Sequence, residues 1–294
     1  MPGARSIGFI GLGVMGEPMC RNLATKSDLP VVAFDLRPEP LDRLRSSGVR
    51  AAKTAADAAG ADIVFVSLPG GPELASLCRG ASGLIARAGA GQTYVDLGTS
   101  PVTLTRALGG EFAARGADYA DAPVARTREA AEQGTLSIMV GGSAGVFARV
   151  RPLLAHMASD ITHCGDLGAG QVVKLVNNMV LFETLGALAE ALALAREAGV
   201  DAKLLFETLS KGSADSFALR NHGMKSMLPG VFPERAFSVE YALKDLDYAL
   251  ALAEDAGLDL DGAALAGRRL KAAIAAGDGK LYHPVIARLL KAKP

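Results

Sequence analysis

The first 35 residues constrain this chain more than any other stretch. Ile7-Gly-Phe-Ile10 reads as a short buried strand and leads straight into Gly11-Leu12-Gly13-Val14-Met15-Gly16. From Met15 the pattern turns helical. Pro18 is tolerated there because it falls in the first turn, where its missing N–H would have had no partner. Val31-Val-Ala-Phe34 is a second strand, and Asp35 stands at its end. Gly11 allows a tight turn, Gly13 lets backbone approach a pyrophosphate, and Gly16 lets helix and strand pack closely. The helix N-terminus then offers N–H groups and a positive dipole end to phosphates. Strand, GxGxxG, helix, strand and acid in this order predict a dinucleotide-binding βαβ unit. Asp35 predicts NAD, because a carboxylate accepts from ribose hydroxyls and repels a 2′-phosphate. Arg37 keeps NADP possible, since a guanidinium can hold that phosphate. A solvated loop residue is the reading expected for it.

The alternation continues. Helices are expected over 41–47, 54–60, 72–78, 102–115 and 143–158, the last with Pro152 starting a new turn or kink. Strands are expected over 62–68, 92–97, 117–121, 136–140 and 161–164. Strands alternating with helices predict an α/β domain whose largely parallel sheet is covered on both faces. Ligands on such a sheet gather at the carboxyl ends of the strands. Leu68 and Pro69, Thr99, and the loop after Pro123 lie at such ends. After Gly165 the pattern changes to helices over 170–198, 201–211, 214–228, 236–256, 261–276 and 282–292, punctuated by glycines. The expected organisation is a dinucleotide-binding domain over 1–165 and an all-α substrate and oligomerisation domain over 166–294. The long helix joins them, with the substrate cleft between.

That helix, 168–198, is apolar almost all round its middle and reads as buried. Gln171, Lys174 and Asn178 share one stripe, because residues three and four apart lie on one helix face. Glu183 and Glu190 project from roughly the opposite side. An unpaired buried charge is costly, so Lys174 needs a partner or a function, unless its stem packs while its ammonium reaches water. A lysine beside an apolar wall can have its pKa lowered towards working pH, which suits proton transfer to a carbonyl oxygen.

Composition removes several alternatives. The formal net charge is zero, which gives no electrostatic case for nucleic acid or an anionic membrane surface. The three cysteines, Cys20, Cys78 and Cys164, form no CxxC pair and predict reduced thiols in a cytoplasm. The start of the chain lacks the basic flank and apolar core of a secretory signal. No uninterrupted apolar run approaches ~20 residues, so no membrane span is expected. His156, His163, His222 and His283 make no ligand-spaced cluster, and no metal is expected.

These features together resemble the β-hydroxyacid dehydrogenase family over essentially the whole chain. The likeness is carried by Gly11 to Met19 with Asn22-Leu23, Asp121-Ala-Pro-Val124, Gly134-Thr-Leu136 to Gly142, Gly168 to Asn178, and Lys244-Asp245. The small semialdehyde-reductase branch is the nearest in pattern. The resemblance implies a Rossmann domain followed by an all-α domain, and an NAD(P)-dependent oxidoreductase interconverting a short β-hydroxy acid and its semialdehyde. It implies Lys174 as catalytic acid/base and Asn178 as the residue orienting the lysine or the substrate. Thr99 would lie near the nicotinamide, and Lys244 would contact the cofactor or close the site. It also implies a homodimer or homotetramer. Family members often follow Asp-Ala-Pro-Val with Ser-Gly-Gly, a loop that holds the substrate carboxylate. Here Val124 is followed by Ala125, Arg126 and Thr127, which changes the pocket floor. Arg126 either binds a carboxylate bidentately or turns outward to water. Two other functions compete: imine reduction, whose enzymes usually lack a lysine at this place, and a non-catalytic cofactor-bound interaction module. The presence of Lys174 argues against both.

Overall fold

A computed structural model of the chain describes residues 4–234 and 236–290. The strands are β1 (Ile7–Ile10), β2 (Val31–Phe34), β3 (Arg50–Ala51), β4 (Ile63–Val66), β5 (Thr93–Asp96), β6 (Asp118–Asp121), β7 (Val124–Ala125), β8 (Leu136–Gly141) and β9 (Ala158–Gly165). The helices between them are α1 (Gly16–Lys26), α2 (Pro38–Leu44), α3 (Ala55–Ala58), α4 (Gly71–Cys78), α5 (Leu84–Arg87), α6 (Val102–Ala113), α7 (Arg128–Gln133) and α8 (Ala144–Leu154). Then follow α9 (Ala169–Glu197), α10 (Ala202–Leu209), α11 (Val239–Asp255) and α12 (Asp261–Ala275), with a π-helix at Leu219–Met227 and a 3₁₀-helix at His283–Leu289.

The sheet order is β3-β2-β1-β4-β5-β6-β8-β7, with β9 pairing β8. Strands β1 to β6 run parallel, β8 runs antiparallel to β6 and β7, and β9 runs parallel to β8. This is an α/β Rossmann domain with a largely parallel sheet. Alternation along each strand divides its side chains between two cores. Ile7, Phe9, Ile63 and Phe65 pack with Met19, Leu23 and Leu154 on one side. Ile10, Val64, Val66 and Tyr94 pack with Leu74, Leu108 and Phe112 on the other. Burial on both faces is why β1 and β4 read as continuous apolar runs.

The structure adds β3, β7, α5 and α7 to the expected elements, and β9 is longer than the expected 161–164. Pro152 stands near the end of α8 and interrupts only its last turn. The chain divides into two compact units between Lys174 and Leu175, later than the expected 165/166 boundary and inside α9. By length and composition alone α9 passes for a membrane-crossing helix, a test that a core helix also meets. In the second unit it is a core helix. Phe182, Leu185, Leu188 and Leu192 pack with Phe206, Leu246, Leu270 and Ile286. Its opposite side leaves Val180 and Leu194 exposed, so it is buried along one side rather than all round.

Buried histidines tie the second core together. His283 Nδ1 donates to the Phe237 carbonyl at 2.9 Å, and its ring packs edge-on against Phe237 and Phe182. His222 Nδ1 pairs with the Tyr282 hydroxyl. Burial pushes the pKa of His222 down to about 4 and that of His283 down to about 3. Below pH ~6.5 the unfolded chain protonates these rings while the folded chain does not, so stability falls as pH falls towards the folded values. Each histidine contributes a slope of up to about 1.4 kcal/mol per pH unit in that window. Urea unfolding at pH 7 and pH 5 should show this loss, and His283→Gln should flatten it. An unfolding free energy independent of pH over this range would refute the assignment.

Candidate active site

The strand order reverses between β1 and β4, the place where open α/β sheets bind ligands. The segments after these strands are laced together there. The Ser67 N–H donates to the Ile10 carbonyl at 2.8 Å. Gly11 has φ of 92°, and a Cβ on it would lie 2.2 Å from the Ser67 carbonyl oxygen, so only glycine fits. Gly16 is required by close approach, since its Cβ would lie 2.1 Å from the Gly11 carbonyl oxygen. The Cβ side of Gly13 is open space, and α1 begins at Gly16 with Met15 before it giving no side-chain cap. That cradle and uncapped helix start fit a pyrophosphate. Leu12 is buried in the core below, Met15 packs against it, and Val14 is exposed.

Asp35 does more than mark the end of β2. Its Oδ2 accepts from the Leu12 N–H at 2.6 Å, and its Oδ1 accepts from the Arg37 N–H at 2.8 Å. The carboxylate therefore braces the glycine loop. Arg37 stays a solvent-exposed loop residue, with its Nε 3.4 Å from Oδ1.

A second bracket forms at the ends of β5 and β6. Asp96 and Asp121 are cross-strand partners, and both are buried. Asp96 accepts from the Gly98 N–H and the Ser100 hydroxyl, each at 2.9 Å. Asp121 accepts from the Gly168 and Gln171 N–H groups, each at 2.7 Å. Burial raises the Asp121 carboxyl above the usual carboxylate range, and these amide hydrogen bonds oppose the rise. Gln171 joins the two carboxylates. Its Nε2 donates to the Gly98 carbonyl at 2.9 Å and approaches Asp96, while its Oε1 accepts from the Ser100 N–H at 3.1 Å. Thr99 lies within the loop so held. Leu68 and Pro69 follow β4, one strand over.

Lys174 follows Gln171 by one turn of α9 and is 8% exposed. In the second unit, the Asn178 Nδ2 donates to Asp245 Oδ2 at 2.7 Å, and its Oδ1 accepts from Asn177 at 3.1 Å. Both ends of the Asn178 amide are thereby oriented. Lys244 Nζ pairs with the other Asp245 oxygen at 3.0 Å and stands between the rings of Tyr241 and Tyr248. The sequence reading gave no role to Asp245 or to Asp96. The signal for Asp245 was an acid beside Lys244; for Asp96, an acid ending an apolar strand.

Comparison with known proteins fits this arrangement. Residues 6–165 match the family described as the NAD binding domain of 6-phosphogluconate dehydrogenase. Residues 168–290 match the family described as NAD-binding of NADP-dependent 3-hydroxyisobutyrate dehydrogenase. The chain is 36% identical to a 2-(hydroxymethyl)glutarate dehydrogenase of Eubacterium barkeri, over 93% of this chain and 91% of that one. It is 39% identical to a 3-hydroxyisobutyrate dehydrogenase of Pseudomonas aeruginosa, over 84% and 85%. A solved structure of Mycobacterium tuberculosis 3-hydroxyisobutyrate dehydrogenase with L-serine has a TM-score of 0.89 at 31% identity, covering 98% of this chain and 99% of that one. The chain belongs to the β-hydroxyacid dehydrogenase family. It is an NAD(P)-dependent oxidoreductase.

Against the family pattern, the residues after Asp121-Ala-Pro have definite places in this β-hydroxyacid dehydrogenase. Val124 and Ala125 form β7 and pair with Ile138 and Ser137. The Thr127 hydroxyl accepts from the Ala130 N–H and caps α7. The Arg126 guanidinium donates to the Thr135 carbonyl, the Ser159 hydroxyl and Asp160. The fork is thus held on protein groups at an exposed position.

Removing Asp121 leaves two buried N–H donors at the start of α9 unpaired, at about 1–3 kcal/mol each. Asp121→Ala is therefore expected to lower unfolding free energy by several kcal/mol, and Asp121→Asn by roughly half as much. Urea midpoints of the two variants check this; a loss under about 0.5 kcal/mol for Asp121→Ala would show that the bracket does not hold the helix.

Proposed function

We propose that the enzyme interconverts a short β-hydroxy acid and its semialdehyde, with Lys174 carrying the proton and NAD preferred over NADP. The observation that carries this is the placement of Lys174. It is the one lysine of α9, it is buried, and it lies one turn beyond a helix start fixed by Asp121 and Gln171. The relatives' names, 3-hydroxyisobutyrate and 2-(hydroxymethyl)glutarate dehydrogenase, support a substrate bearing both a hydroxyl and a carboxylate.

A bound nicotinamide cofactor would supply the acceptor for the hydride of the carbinol carbon, or its donor in the reverse direction. Gly11 to Gly16 would hold its pyrophosphate, Asp35 its ribose hydroxyls, and Leu68, Pro69 and Thr99 would border its path along the strand ends. In the oxidative direction Lys174 Nζ accepts the hydroxyl proton as the carbonyl forms; in reduction it returns that proton to oxygen. Asn178, one turn on and fixed by Asp245, orients the reacting oxygen or the lysine. Lys244 closes the cofactor side. The turn 124–127 holds the substrate carboxylate. Residues 1–165 act as the dinucleotide-binding domain and 166–294 as the substrate and oligomerisation domain. The same reading makes the enzyme a cytoplasmic homodimer or homotetramer, supported by the free thiols of Cys20, Cys78 and Cys164 and the exposed apolar side of α9.

Lys174→Ala should lower kcat by about 10²–10⁴-fold, the usual loss on removing a general acid or base, while NADH binding stays within about threefold. Steady-state assay on small hydroxy acids and semialdehydes, with NADH fluorescence titration alongside, reads both quantities. Near-normal kcat would end the assignment. The parent protein should bind NADH more tightly than NADPH, and Asp35→Ala should narrow the difference by relieving repulsion of the 2′-phosphate. Tighter NADPH binding by the parent would mean that Arg37 outweighs Asp35.

A further inference from the structure

The turn that departs from the family pattern is held in an unfavourable conformation by its own side chain. Arg126 has φ of 85°, the one positive φ at a non-glycine residue among the described residues. The left-handed region crowds Cβ against the following carbonyl, which is why glycine is the usual occupant. Here a planar fork offsets that cost. Nη1 donates to the Thr135 carbonyl at 2.6 Å and to Ser159 Oγ at 2.8 Å, while Nη2 donates to Asp160 Oδ2 at 2.6 Å. The Ser159 hydroxyl donates to the same Asp160 oxygen at 2.7 Å. These two donors, Ser159 first and then Arg126, hold the Asp160 carboxyl below the usual carboxylate range. The flanks are fixed as well, by the pairing of β7 with β8 on one side and by the Thr127 cap of α7 on the other.

We propose that Arg126 is a positioning residue for substrate affinity. Its strap to Thr135, Ser159 and Asp160 holds Arg126 in the left-handed conformation and so preorders the 124–127 turn before substrate binds. This rests on the reading that the turn holds the substrate carboxylate. An ion pair as exposed as Arg126 with Asp160 adds little to global stability. Its effect is local: it removes alternative turn conformations, and preorganisation of that kind strengthens binding by cutting the ordering cost. Glycine at this position permits the same conformation without enforcing it. An arginine that enforces it through its side chain lets the turn carry a Cβ and stay rigid.

Two variants isolate the strap. Arg126→Gly keeps the left-handed conformation accessible and removes the fork. Asp160→Asn leaves Arg126 in place and removes its charged partner. Both should raise KM for a hydroxy acid by about three- to tenfold, with kcat falling by less than KM rises, and Arg126→Lys should recover part of the loss. A guanidinium that bound the substrate directly would give the opposite sign for Asp160→Asn, because releasing it would lower KM. A lowered or unchanged KM in Asp160→Asn therefore overturns the proposal. Ala125→Asp tests the underlying reading separately, by placing a like charge in the turn itself. If Ala125→Asp retains the parent KM, the turn does not hold the substrate. If it is impaired while Arg126→Gly and Asp160→Asn are not, the strap alone fails. NADH affinity measured by fluorescence should stay within about twofold in each strap variant, and a parallel loss of NADH binding would overturn the local role.

Discussion

A buried carboxylate at the end of β6 sets the geometry on which the rest depends. Asp121 accepts the Gly168 and Gln171 N–H groups, two of the donors that every helix start leaves without an intrahelical partner. Its negative charge also faces the positive end of the helix dipole. Getting the helix that close requires absences. A Cβ on Gly170 would lie 2.3 Å from the Met139 carbonyl oxygen, and one on Gly141 would lie 2.3 Å from Asp121 Oδ1. So an acid on one strand and glycines on the next strand and on the helix are needed jointly, and none can change alone. The place of Lys174, one turn into the helix, follows from that fit.

Two acids side by side on neighbouring strands would repel each other, and the structure answers with one shared donor. Gln171 gives its backbone N–H to Asp121 and turns its side-chain amide towards Asp96 and Gly98. Each carboxylate also has donors of its own, from Gly168 for Asp121 and from Gly98 and Ser100 for Asp96. Burial still raises the Asp121 carboxyl, so the hydrogen bonds offset only part of the desolvation. A network of this kind fixes position more than it adds stability. Asp96, Asp121 and Gln171 are each oriented by at least two others, and the loop carrying Thr99 is held at both Gly98 and Ser100.

The sequence made the sheet legible where burial on both faces imposes an apolar run, as in β1 and β4, and where glycine chemistry is specific, as at Gly11. The stripe of Gln171, Lys174 and Asn178 was legible because helical spacing alone brings those positions to one side. What was not legible depends on partners remote in the chain. Nothing near Asn178 announces that Asp245 will orient it, and nothing near Arg126 announces Ser159 and Asp160. β7 is two residues long and exists only through its pairing with β8. The helix expected over 214–228 is found shortened, with 214–216 outside it and a π-helix at Leu219–Met227 whose wider turn cannot be read from apolar spacing. The exposed side of α9 escaped for a related reason: apolarity all round a helix does not say which side the rest of the fold covers.

These differences in legibility follow a division of labour. The proton carrier proposed here stands on a 29-residue helix whose start is locked by Asp121, so its position tolerates little change. The proposed recognition turn is anchored separately, by a two-residue strand, a short helix cap and the Arg126 fork. Apart from the β8 backbone that pairs with both β6 and β7, the two anchors share no side chain. The turn's own helix α7 does meet α1, where the Asn22 side chain donates to the Ala131 carbonyl at 2.8 Å. On the proposed reading, Ala125-Arg126-Thr127 would then bear on substrate choice and the rigid elements on reaction type.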